Sequence, residues 1–250
     1  MSRLFLTSFA TSDWNVSRER ISAQSDEMNK TANVFSGRFL FDESALSGEY
    51  MDRFKPFLGM HGYGLYSWKP FVCMHALENV NDGDFVLYID GGCSLPSDRA
   101  AEFKSRITHH MDMVAKSGIR MGFGVFGNSK MNIRIIRKSI LRDFHLIDVR
   151  EFLYDYPHFE ANGILMQKDP RSSEFINGWS RYIRDRFETS IMSDYDDKSG
   201  QYKEYIHNCG DQAVLQCMLY KLRKYNRNKD QHHSMGNFFR DFNIITRIRK

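Results

Sequence analysis

The chain predicts an α/β fold: a mostly parallel central sheet with helices on both faces. Three observations carry that expectation. Short apolar runs alternate with helix-length stretches along most of the 250 residues. One run, "FVLYID" at residues 85–90, is apolar without alternation, as a strand buried on both faces must be. Glycine, proline and Asn-Asp-Gly clusters separate the runs where turns are needed.

Taken in order, "RLFLTSFA" (3–10) reads as a first strand ending in Thr7 and Ser8, and residues 14–31 have loose helical spacing. "VFSGRFLF" (34–41) is strand-like. "DESALSGEYMDRFKPFL" (42–58) predicts a helix capped by Ser44, with Ala45, Leu46, Tyr50 and Phe54 on one face. A Gly-rich loop over 59–66 leads into a helix at 69–80, whose Pro70 sits in the first turn, where a missing N–H is harmless. The turn 81–84 precedes the buried strand 85–90. A helix over 97–116, a strand near 119–126 and a helix near 130–142 follow, then strands at 144–149 and 163–168. "SSEFINGWSRYIRDRFE" (172–188) is amphipathic, 193–205 is a polar loop, and 211–225 is a last core helix with a basic end. No repeat or low-complexity tract interrupts this pattern. One domain over 1–220 is expected, with 221–250 as its basic C-terminal extension.

Composition narrows the function classes. Hydrophobic residues are 42% and charged residues 26%, as in soluble globular chains. No stretch approaches the 18 or so apolar residues a membrane helix requires, and the N-terminal run is too short for a signal peptide. Cys73, Cys93, Cys209 and Cys217 have no CxxC spacing, so neither a zinc knuckle nor a disulfide framework is expected, and a reducing, cytoplasmic setting is. Net charge is +4, but residues 221–250 hold nine Lys/Arg against two Asp. That segment is a candidate contact for an anionic or peripheral membrane surface. No specific nucleic-acid partner is expected. Aromatic residues, at 14%, fill a core before they argue for a ligand groove.

Two residues stand out chemically. Asp90 ends the buried strand, at the edge where open α/β sheets bind ligands, and Gly91 and Gly92 allow close backbone approach. A carboxylate there suits Mg²⁺ or Mn²⁺ bridging phosphate oxygens, or else caps the next turn. Lys69 opens the helix before that strand, where free N–H groups and the helix dipole favour an anion. A helix that feeds directly into a strand of a parallel sheet runs antiparallel to it. Lys69 and Asp90 are therefore expected on the same rim. "HNCGDQAVL" (207–215) places Asp211 and Gln212 at the start of the last helix, where Asp211 is also a sound N-cap. "GFGVFG" formally matches the dinucleotide fingerprint through Gly122, Gly124 and Gly127, with Asp148 about 20 residues on. Bulky residues fill that turn, and the glycines look interior to a strand. The pairs His109-His110 and His232-His233 lack the i, i+4 spacing of a helical metal site and read as surface residues.

The order Gly-Tyr-Gly-x-Tyr-x-Trp-Lys-Pro, then x-Leu-Tyr-Ile-Asp-x-Gly-Cys, then a late Asp-Gln, resembles small GT-A glycosyltransferases of the chlorovirus and bacterial type. These carry a WKP motif and a D-x-G in place of a strict DXD. The likeness spans roughly residues 3–220. It implies a GT-A, Rossmann-like α/β/α sandwich. The implied activity moves a sugar from a nucleoside diphosphate donor, UDP-linked by expectation, to a hydroxyl of a glycan or glycoconjugate, with retention. By the same likeness Thr7, Ser8, Lys69, Asp90, Gly91, Gly92, Asn162 and Gly163 would face the donor. Asp90 would hold the metal, Mn²⁺ or Mg²⁺. Asp211, Lys69 and Gln212 would act on the reacting sugar, and Tyr63, Tyr66 and Trp68, with the loop 193–205, would shape the acceptor groove. Gly92 departs from the pattern by standing where a second aspartate is expected. Two rival readings remain: an NAD(P)-dependent oxidoreductase using Gly122, Gly124 and Gly127, and a non-enzymatic module that binds anionic partners through 221–250.

Overall fold

A computed structural model describes residues 2–125, 132–192, 198–225, 232–242 and 244. Six strands form one sheet in the order β2-β1-β3-β5-β4-β6. They are β1 (Leu4–Phe9), β2 (Gly37–Phe41), β3 (Phe85–Ile89), β4 (Met121–Val125), β5 (Phe159–Gln167) and β6 (His233–Ser234). β1 pairs in parallel with β2 and β3, and β4 in parallel with β6, whereas β5 runs antiparallel to both its neighbours. Five strands thus point one way and one is reversed, which makes the α/β sheet mostly parallel.

The helices fall into two layers, set by the two-residue period of the strands. On one face Phe5, Phe9, Val86, Tyr88, Ile164 and Met166 form a core with α3 (Lys69–Glu78), α7 (Pro170–Arg186) and α8 (Gly210–Tyr225). On the other, Leu4, Leu6, Leu87, Ile89 and Leu165 pack with α1 (Asn15–Ala32) and α4 (Ala100–Val114). β3 is buried at all five positions, as its unbroken apolar run requires.

Several expected elements change. The helix drawn over 42–58 contains one α-helical stretch, α2 (Gly48–Phe54), capped by Ser47 and not Ser44; Asp42 accepts from the Ser44 N–H in a separate turn. The helix near 130–142 is two short pieces, α5 (Asn132–Ile135) and α6 (Lys138–Asp143). No strand forms at 144–149: His145 takes a positive φ of 52°, and Leu146 is buried in the core, with Phe144, Ile147 and Val149 packed against it, without a ladder partner. β5 begins four residues before its expected start and is antiparallel.

Residues 232–244 do not trail away where they are described. β6 adds to the sheet edge, and α9 (Phe238–Asp241) sends Phe238 and Phe239 into the second core with Met235, Phe242 and Ile244. Residues 226–231, 243 and 245–250 of the basic segment lie outside the described residues. His110 and His233, expected at the surface, are partly buried and share a hydrogen bond of 2.8 Å between α4 and β6. Among the described residues no helix is long and apolar enough to cross a membrane.

Candidate active site

The site forms where the carboxyl end of β3 meets the first turns of α3 and α8. Residues 62–66 deliver Lys69 there. All five have positive φ, including the non-glycine Tyr63 (54°), Leu65 (55°) and Tyr66 (62°). Such a run of left-handed residues is strained, of order 1–3 kcal/mol at each non-glycine position, and persists only where surroundings impose it. Here Trp68 locks it: its indole N–H donates to the Gly62 carbonyl at 3.0 Å, and its ring stacks on Phe9 at 4.1 Å.

Lys69 ends up 3% exposed, with its ammonium 2.9 Å from Asp211 Oδ2 and 3.2 Å from Asp90 Oδ1. Burial opposes its charge, but the two carboxylates outweigh burial and hold its pKa above the ordinary lysine value. Each contact supplies about 5–6 kcal/mol of attraction at an effective dielectric near 20, against a desolvation cost of several kcal/mol for the ammonium. Burial pushes the Asp211 carboxyl above the ordinary aspartate range, although Lys69 pulls it down. The trio carries one net negative charge. Tyr88, two residues before Asp90 on the same strand face, donates its hydroxyl to Asp90 Oδ1 at 2.6 Å. Oδ1 is therefore doubly engaged, and Oδ2 is the Asp90 oxygen left for a ligand.

Because β5 is reversed, its early residues arrive at this same rim. The Asp90 N–H donates to the Asn162 carbonyl at 3.0 Å. The Asn162 side-chain oxygen is buried with no hydrogen-bond partner. Lys69, Asp90, Asn162, Asp211 and Gln212 line one cleft of about 120 Å³, together with Tyr66 and residues of the stretch 207–210. Its free polar groups are chiefly acceptor oxygens, suited to hydroxyl donors.

Not all the expected site residues join them. Thr7 is buried and donates its hydroxyl to the Phe39 carbonyl, a strand-edge contact. Ser8 is buried too, on the face of β1 shared with Leu4 and Leu6. Trp68 is a core residue, 5% exposed, and Tyr63 packs on Phe9; of the three aromatics only Tyr66 lines the cleft. Gly163 lies under Phe239: a Cβ there would stand 2.6 Å from its ring. Gly91 is needed for packing, since its Cβ would stand 2.7 Å from the Phe9 carbonyl oxygen, and Gly92 is exposed. Gly122 and Gly124 are interior to β4, where added Cβ atoms would meet Val114 at 2.8 Å and Phe239 at 2.7 Å. They serve helix packing and form no phosphate turn; Gly127 lies outside the described residues, as do residues 193–197 of the loop expected to shape an acceptor groove.

A divalent cation is a natural companion of a diphosphate. Asp90 offers it one free oxygen, Asp211 is held by Lys69, and Gly92 offers none. Among the described residues no group of three or more His, Cys, Asp or Glu is placed to hold a metal. Among the described residues this donor set does not complete a metal site, and a hard cation at Asp90 would need most of its oxygen ligands from a bound ligand or water.

Sequence reasoning missed Tyr88 and the buried His158. Tyr88 had a signal, since position i−2 in a strand shares a face with Asp90. His158 had none. It reaches the site through Gln212, 54 residues away in sequence.

No protein-family model matches the chain, and neither does any curated protein. Among solved structures it is similar to a glycosyltransferase involved in glycosylation of the major capsid of PBCV-1, at 9% identity over 82% of this chain and 80% of that one, with a TM-score of 0.43. It is similar to the galactosyltransferase LgtC at 11% identity, covering 86% of this chain and 70% of that one (TM-score 0.45). Mouse xyloside xylosyltransferase 1 shares 8% identity over 88% of this chain and 82% of its own, with a TM-score of 0.45. These are likenesses of chain path.

Proposed function

We propose that the protein is a glycosyltransferase that moves a sugar from a nucleoside diphosphate donor, UDP-linked in the first instance, to a hydroxyl of a glycan or glycoconjugate. The observation that carries this reading is the Lys69-centred trio, with Asp90 and Asp211, at the carboxyl rim of the sheet. The inner cleft has a net negative charge and free acceptor oxygens. It suits a polyhydroxylated sugar and the positive charge that grows on it as the diphosphate leaves. Lys69 keeps two carboxylates close together; the diphosphate lies further out, past Asp90. Among the described residues Asp90 Oδ2 is the carboxylate oxygen that would hold Mn²⁺ or Mg²⁺. When bound the cation neutralises charge on the leaving group. Asp211, buried and fixed by Lys69, stabilises the oxocarbenium-like sugar, in keeping with a retaining outcome. Tyr66 lies where an acceptor enters.

The rival readings have less support. The glycines of the dinucleotide fingerprint that are described pack against helices. In the basic segment, Lys224 pairs with Glu151 and Arg240 with Glu160.

The test is calorimetric binding and donor hydrolysis with UDP-glucose, UDP-galactose, UDP-N-acetylglucosamine and GDP-mannose, with and without Mn²⁺, and with NADH as the control. At least one sugar nucleotide is expected to bind and to be hydrolysed slowly. Asp90→Asn is expected to lower that rate roughly 100-fold. Binding of NADH alone, or hydrolysis that Asp90→Asn leaves unchanged, overturns the assignment.

A further inference from the structure

Gln212 reaches the cleft with its amide already oriented, and the orientation is set by residues outside the cleft. Asn132, fully buried on α5, donates both amide hydrogens to backbone carbonyls, to Phe152 at 2.8 Å and to Tyr156 at 3.1 Å. Turned the other way, its oxygen would face two carbonyl oxygens. Its Oδ1 must therefore point at His158, whose Nδ1 lies 2.9 Å away, so Nδ1 carries the imidazole proton. His158 is 1% exposed, and burial keeps it neutral at ordinary pH. A neutral ring protonated on Nδ1 has a bare Nε2. That nitrogen lies 2.5 Å from Gln212 Nε2, and the Phe159 carbonyl lies 3.1 Å from the same atom. Both Gln212 amide hydrogens therefore point inward, and its carbonyl oxygen is what the side chain has left for the cleft.

We propose that His158, braced by Asn132, is a positioning residue that holds the Gln212 carbonyl oxygen toward the cleft, so that this point accepts a hydrogen bond from a sugar hydroxyl and disfavours an anion. The inference rests on the glycosyltransferase reading for its ligand, but the orientation itself can be tested without one. An acceptor oxygen fixed by a buried relay selects a hydroxyl more sharply than a free amide, which can turn to suit either partner.

Two measurements test it. A long-range proton–nitrogen correlation spectrum of the parent protein reports the His158 tautomer directly, and a proton on Nδ1 is expected. Affinities for the tightest-binding sugar nucleotide of the panel above, and for its bare nucleoside diphosphate, are then compared in parent, His158→Leu and His158→Gln proteins. His158→Leu is expected to weaken the sugar nucleotide roughly tenfold, the loss of one oriented hydrogen bond, and to leave the bare diphosphate within about twofold. His158→Gln, whose amide oxygen can accept at the Nε2 position, is expected to restore most of that loss. A proton on Nε2, or a His158→Leu protein that keeps the full advantage of sugar nucleotide over diphosphate, overturns the proposal. Failure of the parent to bind any donor, with the tautomer as expected, instead removes the glycosyltransferase reading and with it the ligand named here.

Discussion

Replacing Lys69 by methionine gives the sharpest test of the site's electrostatics. Methionine keeps most of the aliphatic stem and removes the ammonium that lies 2.9 Å from Asp211 and 3.2 Å from Asp90. Two carboxylates then face each other without a cation, and the Asp211 side chain is only 5% exposed. Breaking a buried pair by deleting one partner typically costs about 3–5 kcal/mol, because the remaining charge is stranded. Lys69→Met is expected to lose that much at pH 7 in urea denaturation, with an unchanged slope. The loss should shrink toward pH 5. Burial already raises the Asp211 carboxyl, and without Lys69 it rises further, so lowering the pH protonates the folded state and recovers stability. The double variant Lys69→Met/Asp211→Asn should regain about 2 kcal/mol or more over Lys69→Met alone, since the stranded charge is gone. A single-variant loss below about 1 kcal/mol, or one that stays flat between pH 7 and pH 5, refutes the argument.

Two further outcomes concern the frame of the site. Gly163→Ala would set a methyl 2.6 Å from the Phe239 ring, and overpacking of this kind should cost about 1–3 kcal/mol in denaturant, with Phe239→Leu in the same chain recovering part of it. Glu160 is 2% exposed, and burial pushes its carboxyl up to about 7, with Arg240 acting against the shift. Between the ordinary glutamate value and 7 the folded state therefore binds a proton that the unfolded state lacks. The resulting stability is present below about pH 4.5 and is lost as pH rises through 7. His158 and His232, pushed down to about 4 by burial, act in the opposite sense, losing stability as pH falls from about 6.5 to 4. Comparing Glu160→Gln with the parent isolates the first effect: the variant should gain up to about 3 kcal/mol relative to the parent between pH 5 and pH 8. A constant difference across that range would show that Glu160 titrates normally.

Much of the molecule was legible because it follows from local rules. The unbroken apolar run 85–89 forced a doubly buried strand. A helix that leads straight into that strand then had to turn its first residue toward the strand's last, and Lys69 duly meets Asp90 at 3.2 Å. The Asp211-Gln212 pair lies in the first turn of α8, as expected, but the helix begins at Gly210, so Asp211 is not its N-cap. The misreadings were non-local. Apolar spacing at 144–149 looks like a strand, but a strand exists only with a ladder partner, and no neighbour in the sheet is available there. Thr7 and Ser8 end a strand at the ligand edge, yet their side chains go to a β2 carbonyl and to the opposite core layer.

The sequence by itself determined which chemical groups are present and, through periodicity and helix–strand geometry, which edge of the sheet they share. Only the tertiary structure decided how they are used. The reversal of β5 depends on pairings with β3 and β4 that local propensity does not encode, and it brings Asn162 to the rim. The cation between Asp90 and Asp211, and the line from Asn132 through His158 to Gln212, join residues from separate elements. Hydrogen bonds and charge pairs depend on distance in space, which local helix–strand geometry sets for successive elements, as for Lys69 and Asp90, but not for elements far apart in the chain.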